Sequence, residues 1–132
     1  MTIVIDASVV VAAFVDSGPE GQRAAARMRS EPLVAPHLMP VEVASVLRRA
    51  ELAGDISADE AAFAHTDLLD LAVGLFPYEP FAHRIWDLRR TITSYDAWYV
   101  ALAEGFDATL VTLDTRLARA NGPSCRIETL RG

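Results

Sequence analysis

The sequence of 132 residues is short enough to form a single domain and long enough to bury a hydrophobic core. Its composition, 52% hydrophobic and 23% charged, is typical of a globular protein and excludes a disordered chain. The single cysteine, Cys125, excludes an intrachain disulfide framework and a cysteine-rich zinc site. Eighteen acidic and 12 basic residues give a net charge of −6, which argues against a protein that coats nucleic acid through its overall charge.

Every basic residue is an arginine, so mechanisms that need a lysine amine are excluded. The two most apolar runs, 3–14 and 68–76, each contain an aspartate and fall well short of the about 20 residues that span a bilayer. The segment MTIVID lacks the basic region of a signal peptide. We therefore expect a cytoplasmic protein with no membrane segment.

Short apolar runs alternate with helical patterns along the chain, which predicts βα units around a parallel sheet. We expect one α/β domain over residues 1–132, with a central parallel sheet of about four to five strands flanked by helices. The predicted strands are 2–5, 33–35, 74–77, 109–112 and 126–129.

Helix boundaries are marked by capping signals and by apolar spacing. Residues 17–20 and 57–60 have the pattern of capping boxes, and Ser94 is placed to cap a later helix that Gly105 ends. Apolar residues at helical spacing predict the remaining helices. The expected helices begin near residue 10, and then run from about 17 to 29, 43 to 54, 57 to 72, 81 to 88, 94 to 105 and 114 to 120.

Four acidic residues are expected to meet at one edge of this sheet. Asp6 directly follows the first strand, and Asp114 comes two residues after Thr112, the last residue of the fourth. Glu42 and Asp96 lie in the first turns of helices. Because parallel strands end, and the following helices begin, at the same edge, all four side chains can converge where ligands bind in such folds.

A purely structural interpretation stands beside this one. Asp6 and Asp114 are also suited to cap the helices that follow them, and Glu42 and Asp96 to complement helix dipoles. Two carboxylates about 4 Å apart repel by roughly 4 kcal/mol, whereas a helix N-terminus returns only about 0.3–1 kcal/mol. Converging carboxylates therefore need protonation or a divalent cation, and all-oxygen ligands favour Mg²⁺ or Mn²⁺ over zinc. A cation beside helix N-termini suits a phosphodiester substrate.

Four segments carry a further pattern, in order along nearly the whole chain: 4–8, 42–47, 95–104 and 112–117. Together they resemble the PIN-domain ribonucleases, and most closely the VapC-type toxins of bacterial toxin–antitoxin pairs. The segment 95–104, YDAWYVALAE, is the most specific of the four. The chain departs from the pattern at Ser45, where asparagine is common, and at Thr115, where some relatives have a further acid.

The resemblance implies that Asp6, Glu42, Asp96 and Asp114 form the metal-binding quartet of a Mg²⁺- or Mn²⁺-dependent endoribonuclease. Asp6, Asp96 and Asp114 would ligate the cation, and Glu42 would bind it or orient the attacking water. The products would carry a 5′-phosphate and a 3′-hydroxyl. The resemblance also implies a homodimer and a cognate VapB-type antitoxin, which we expect to fill an apolar groove beside the site and to reach the carboxylates with an arginine.

Other residues have two interpretations each. Ser8 and Thr112 either place a hydroxyl near the site or cap the adjacent helix or turn. Arg49 shares a helical face with Glu42 and Ser45, so it either contacts a phosphate or belongs to a solvated face. The remaining candidates for contacts to an RNA backbone are Arg84, Arg89, Arg90, Arg116 and Arg119.

Four other functions are weighed against the ribonuclease. Phosphatases of the haloacid-dehalogenase type and receiver domains need a lysine, which this chain lacks. A metal nuclease acting on DNA is an alternative, although such relatives carry helical insertions for which this chain has no room. A catalytically inactive PIN-like binding module is the other alternative, but it would be expected to lose members of the acidic quartet, and here all four are present.

Overall fold

A computed structural model describes residues 1–130, so the last two residues of the predicted domain lie outside the described part. Within it, five parallel strands form one sheet in the order β3-β2-β1-β4-β5, which confirms the predicted α/β fold with a five-stranded parallel sheet. The strands are β1 (Ile3–Ile5), β2 (Leu33–Pro36), β3 (Val73–Phe76), β4 (Thr109–Thr112) and β5 (Ile127–Thr129).

Helices cover the sheet and connect its strands. A 3₁₀ turn, Glu79–Phe81, leads into the fifth of them. No helix within residues 1–130 is both long and apolar enough to cross a membrane. The helices are α1 (Ala7–Val15), α2 (Pro19–Ser30), α3 (Met39–Leu52), α4 (Ala58–Asp70), α5 (Ala82–Asp87), α6 (Ser94–Phe106) and α7 (Thr115–Ala118).

The core is built around β1, the middle strand of the sheet. All three residues of β1 are buried, as are the four of β2, because helices cover both faces of a parallel sheet. In α6 a run of buried small and branched residues packs against β1, β2 and β4. The strand ends are therefore held rigidly against the helix starts that follow them.

The order of the strands creates a switch point beside β1. From β1 the chain moves outward through β2 to β3, and then crosses back to place β4 on the other side of β1. The backbone N–H of Asp6 donates to the carbonyl of Val111 over 3.0 Å, which ties the end of β1 to β4. Residues that follow β1 and β4 consequently lie side by side at the carboxyl edge of the sheet, where open α/β sheets bind ligands.

One predicted capping box is confirmed and the other is wrong. Ser57 and Glu60 exchange two hydrogen bonds of 3.0 Å at the start of α4. Ser17 does not cap α2, which begins at Pro19 with Gly18 as its N-cap. Since proline has no N–H and is well suited to the first helical position, the register of the predicted box is displaced, and Gly18 donates instead to Asp16.

Most element ends differ from prediction by a residue or more, and the largest differences are the starts of α1 at Ala7 and of α3 at Met39. Thr93, not Ser94, caps α6 by accepting from the N–H of Asp96 over 3.2 Å, and the helix continues past Gly105 to Phe106. The strand predicted at 74–77 begins one residue earlier, at Val73. The helix predicted over 81–88 divides into the 3₁₀ turn and the short α5, because a proline at residue 80 interrupts the regular helix.

Helices α1 and α2 approach so closely that glycine is required between them. A Cβ built on Gly21 meets the backbone oxygen of Asp16 at 1.8 Å and that of Ala12 at 2.8 Å. Neither backbone atom can move without displacing a helix end.

We predict that Gly21→Ala destabilises the protein by about 1–3 kcal/mol, because an added methyl group must push α1 and α2 apart. The free energy of unfolding in urea measures the effect. Gln22→Ala, at the exposed next position of the same helix, is the control and is expected to change stability by less than about 0.5 kcal/mol. Equal stability of the two variants contradicts the packing argument.

Candidate active site

The four predicted acids come from four separate segments and lie at the carboxyl edge of the sheet. Asp6 follows β1 and Asp114 follows β4. Glu42 lies in the first turn of α3, and Asp96 lies in the first turn of α6. All four side chains are half-buried, so each is both held by the protein and open to a ligand.

A pair of hydroxyl groups fixes Asp6. Its Oδ2 accepts one hydrogen bond from Ser8 Oγ and another from Thr112 Oγ1, each 2.7 Å long. The Ser8 hydroxyl also accepts from the N–H of Leu113, and the Thr112 hydroxyl from the N–H of Asp114. These bonds bridge the ends of β1 and β4, and Asp6 does not use its side chain to cap α1.

Glu42 is held by a buried tyrosine from α6. Tyr99 is only 1% exposed, and its hydroxyl donates to Glu42 Oε1 over 2.7 Å. Burial raises the pKa of Glu42 above its ordinary value, the hydrogen bond from Tyr99 lowers it, and the charges of Asp6 and Asp96 raise it further. Burial, followed by the charges of Asp6 and Glu42, also raises the pKa of Tyr99, so its hydroxyl remains a donor at all physiological pH values.

Asp96 is placed in a similarly unfavourable field. Burial is the largest cause that raises the pKa of its carboxyl group, followed by the negative charges of Asp6 and Asp114. Thr93 and Arg116 act in the opposite direction and do not cancel the effect. The carboxylates are thus close enough to oppose one another's ionisation.

Asp114 serves the fold as well as the site. Its Oδ1 accepts from the backbone N–H groups of Arg116 and Leu117, at 2.9 and 3.3 Å, and so caps the short helix α7. The guanidinium of Arg116 lies 3.7 Å from the same oxygen in an exposed ion pair. The structural interpretation of Asp114 as an N-cap is therefore correct, and it leaves the second oxygen available.

One oxygen on each of three carboxylates is fixed and the other is open. Asp6, Glu42 and Asp114 each accept their hydrogen bonds through a single oxygen, and Asp6 Oδ1, Glu42 Oε2 and Asp114 Oδ2 accept none from the described residues. Oxygen ligands of this kind suit Mg²⁺ or Mn²⁺. Within residues 1–130, however, no three acidic, histidine or cysteine side chains converge closely enough to form a finished metal-binding group.

The other residues that the sequence places near the acids fall into two sets. Ser8 and Thr112 contact Asp6 directly, and Thr112 is completely buried. Ser45 and Arg49 lie further along α3, and neither makes a hydrogen bond or ion pair with the acids among the described residues. Arg49 is exposed, which agrees with the interpretation as a solvated face.

Sequence reasoning missed two residues of this site. Tyr99 has an aromatic ring that suits a core position, and it is buried there, but its hydroxyl also donates to Glu42. Its position three residues after Asp96 on α6 places both on one helical face, which is the signal that points to it. Thr93 is the other missed residue, because it caps α6 by accepting a hydrogen bond from the backbone N–H of Asp96.

Two cavities open on either side of Asp114. The first, of about 560 Å³, extends from Asp96 and Asp114 towards Arg89, Arg90 and Arg116. The second has a volume of about 650 Å³ and is lined by Ser8 and Asp114. Its apolar walls come from α1, from α3 and from the turn that follows β4. Its apolar lining residues are Val11, Ala12, Val15, Val46 and Leu113.

Residues 3–123 match the model of the PIN domain family. The chain therefore belongs to that family, as the resemblance at the four segments predicts.

Relatives of known name cover almost the whole chain. It is 40% identical over 126 residues to Ribonuclease VapC12 of Mycobacterium tuberculosis, with 96% of this chain and 97% of that one aligned. It is 39% identical over 129 residues to Ribonuclease VapC1 of the same organism, with 97% of each aligned. The crystal structure of VapBC2 from Rickettsia felis, bound to a DNA fragment from their promoter, has the same fold, with a TM-score of 0.64, 13% identity and 98% of each chain covered.

We predict that Tyr99→Phe lowers the free energy of unfolding by about 1–3 kcal/mol, because a buried carboxylate loses its hydrogen-bond donor. Urea denaturation measures the loss. Tyr95→Phe is the matched control on the same helix, since Tyr95 is 60% exposed and its hydroxyl makes no hydrogen bond with the described residues. If both variants unfold at the same urea concentration as the parent protein, the bond to Glu42 contributes nothing.

Proposed function

We propose that the chain is the toxin ribonuclease of a toxin–antitoxin pair and that it hydrolyses RNA phosphodiester bonds with Mg²⁺ or Mn²⁺. Relatives that are about 40% identical carry the name ribonuclease, which supports RNA as the substrate. An RNA substrate also supports the cytoplasm as the place where the protein works. The assembly proposed with this function contains a homodimer of the chain and its antitoxin.

The observation that carries the proposal is the mutual repulsion of the acids at the sheet edge. Burial and neighbouring carboxylates raise the pKa of both Glu42 and Asp96, so the protein opposes full ionisation of its own site. Such an arrangement costs stability unless a ligand compensates it. A divalent cation is the ligand whose charge matches several carboxylates at once.

The residues present fit such a cation by their chemistry. The open oxygens of Asp6, Glu42 and Asp114 and the carboxylate of Asp96 would hold it. When bound, the cation supplies Lewis-acid stabilisation of the charge that develops on the scissile phosphate and acidifies a water. Because the four side chains do not form a finished metal-binding group within residues 1–130, binding would require the carboxylates to move towards one another.

The protein's own groups would divide the remaining tasks. Ser8 and Thr112 keep Asp6 in one orientation by donating to a single oxygen. Tyr99 does the same for Glu42 by donating to Oε1, which would leave Oε2 free to bind the cation or the attacking water. Preorientation of this kind reduces the entropy lost when the site assembles.

The second cavity supports a VapB-type antitoxin as partner. Its apolar walls adjoin Asp114, so a segment of the antitoxin seated there lies beside the acids. An arginine from such a segment is able to offset the carboxylates in place of the cation. The name VapBC2 of one similar structure supports a partner of this type.

We predict that Asp6→Asn and Asp96→Asn each reduce RNA cleavage by at least about 100-fold, since each removes a charged ligand of the cation. Cleavage of a labelled RNA is followed with Mg²⁺, with Mn²⁺ and with EDTA, and a DNA of the same sequence is included. Asp70→Asn, an exposed acid of α4, is the matched control and retains activity. Cleavage in EDTA, or activity unaffected by both site substitutions, refutes the metal-dependent assignment.

A second prediction concerns the thermal stability of Asp96→Asn and does not depend on RNA cleavage. The raised pKa means that folded Asp96 holds its proton to a higher pH than the unfolded chain does, so this group's contribution to stability falls as the pH rises between the two pKa values. At pH 7 in EDTA we expect Asp96→Asn to melt a few degrees higher than the parent protein. Lowering the pH until both states are protonated removes the difference.

Addition of Mn²⁺ reverses this order. The cation binds the folded parent and raises its melting temperature, whereas Asp96→Asn responds weakly because a ligand is missing. Differential scanning calorimetry measures both shifts, with Asp70→Asn expected to follow the parent throughout. A lower melting temperature of Asp96→Asn in EDTA contradicts the electrostatic argument, and an equal Mn²⁺ shift contradicts its role as a ligand.

A further inference from the structure

The first of the two cavities beside Asp114 is distinguished by its cations, and we call it the arginine cavity. It is lined by Arg89 and Arg90 from the segment after α5, by Arg116 from α7, and by Asp96 and Asp114 at its inner end. Its volume of about 560 Å³ is large enough to accommodate a nucleotide-sized group. The cavity, with a basic mouth formed by the arginines, therefore includes two of the four acids in its lining.

The cations at this mouth differ from the arginines that serve the fold. Arg27 is paired with Glu31 and Glu128 at 2.7 and 2.8 Å, and Arg84 with Glu104 at 2.7 Å. These ion pairs connect α2 to β5 and α5 to α6. Because it is bound in this way, Arg84 is removed from the candidates for RNA contacts.

Arg89 and Arg90 form no ion pair with any residue in the part of the chain that is described. In a chain with a net charge of −6, two adjacent cations without carboxylate partners create a local positive field, and here that field lies in the same cavity as two of the four acids. Both side chains are exposed, so that field is accessible to a ligand.

Arg89 is also held in place. Its guanidinium lies 4.6 Å from the ring centre of Trp86, and its Nη1 donates to the carbonyl of Trp86 over 2.8 Å. Trp86 is 61% exposed, and its ring packs against the guanidinium of Arg89. A guanidinium ordered in advance loses less entropy when it binds a phosphate, whose oxygens match its planar fork.

The opposite side of Asp114 does not offer this chemistry. The second cavity has apolar walls, and Asp16 is among its lining residues. Arg116 borders both cavities and is already beside Asp114. Phosphate groups are therefore attracted on one side of the acids only.

We propose that the arginine cavity is a phosphate-binding subsite in which Arg89 and Arg90 hold the backbone of single-stranded RNA next to the cleavage site. The proposal rests on the ribonuclease function proposed above and adds the side from which the RNA approaches the acids. The RNA enters over α5 and the start of α6, and the apolar cavity beyond Asp114 stays free of the RNA backbone. Arg89 and Arg90 act in binding and do not take part in the chemical step.

The test measures RNA binding apart from cleavage. The background is the Asp6→Asn protein, which is expected not to cleave RNA and whose substitution lies outside the arginine cavity. In this background, the double variant Arg89→Ala/Arg90→Ala is compared with the protein that keeps both arginines. Fluorescence anisotropy of a labelled single-stranded RNA in EDTA measures the affinity. We expect affinity to fall by about tenfold, because charge-assisted hydrogen bonds to phosphate are lost. The plot of log affinity against log salt concentration becomes shallower by about 1.4, the contribution of two phosphates.

Controls separate local charge from total charge. Arg29→Ala/Arg48→Ala removes the same number of exposed arginines away from the site and is expected to change affinity less than about twofold. Arg89→Lys/Arg90→Lys keeps the charges and restores the salt dependence of the parent. Thermal melting checks that all variants are folded, as expected for substitutions of exposed side chains.

The outcomes distinguish this inference from the function on which it rests. In the cleaving protein, Arg89→Ala/Arg90→Ala raises KM for RNA and leaves kcat nearly unchanged. If the parent cleaves RNA but this variant binds RNA with the affinity and salt dependence of the Arg29→Ala/Arg48→Ala control, the subsite is refuted and the ribonuclease remains. If the parent fails to cleave RNA with either cation, the proposed function itself is wrong.

Discussion

Repulsion between buried carboxylates is the constraint around which this molecule is organised. Glu42 and Asp96 ionise less readily than free acids because they are partly removed from water and face other negative groups. A stable fold normally avoids such placement, because the stabilisation of a carboxylate by a helix N-terminus is smaller than the free energy lost through desolvation and repulsion. Here the backbone enforces it, because β1, β4, α3 and α6 all deliver an acid to the same edge.

The hydrogen bonds around the acids make this arrangement tolerable without cancelling it. Hydroxyl groups of Ser8, Thr112 and Tyr99 satisfy one oxygen of a carboxylate each time, and none of them brings a positive charge. The site thus remains negative while its side chains stay oriented. A site of this design favours a cationic ligand, whether a metal ion or the guanidinium of a partner protein.

Much of the fold follows from local sequence signals, and the misses have local causes. The alternation of apolar runs with helical spacing predicts the five parallel strands, since strands buried on both faces need continuous apolar residues. The start of α2 was misplaced because Pro19 takes the first helical position and displaces the Ser17 box. The cap of α6 was misplaced by one residue because Thr93 and Ser94 are chemically equivalent as caps.

The site divides in the same way into what the sequence determines and what it does not. Acids placed after strands and at helix starts are visible in the sequence, because the topology of a parallel sheet brings such positions together. The partner of Glu42 is not visible, because Tyr99 lies 57 residues away and has an apolar ring that suits a core position equally well. Arg84 and Arg89 look alike in the sequence, and only Glu104 in the folded chain distinguishes the paired cation from the available one.

Asp114 links architecture and chemistry in a single side chain. One of its oxygens anchors α7, a helix of four residues that also carries Arg116, while the other accepts no hydrogen bond from the described residues. An alanine in its place would leave the two backbone amides of Arg116 and Leu117 without this acceptor and would weaken the start of α7. The chemical identity of the last of the four acids is for this reason restricted by the path of the main chain alone, whatever ligand the site binds.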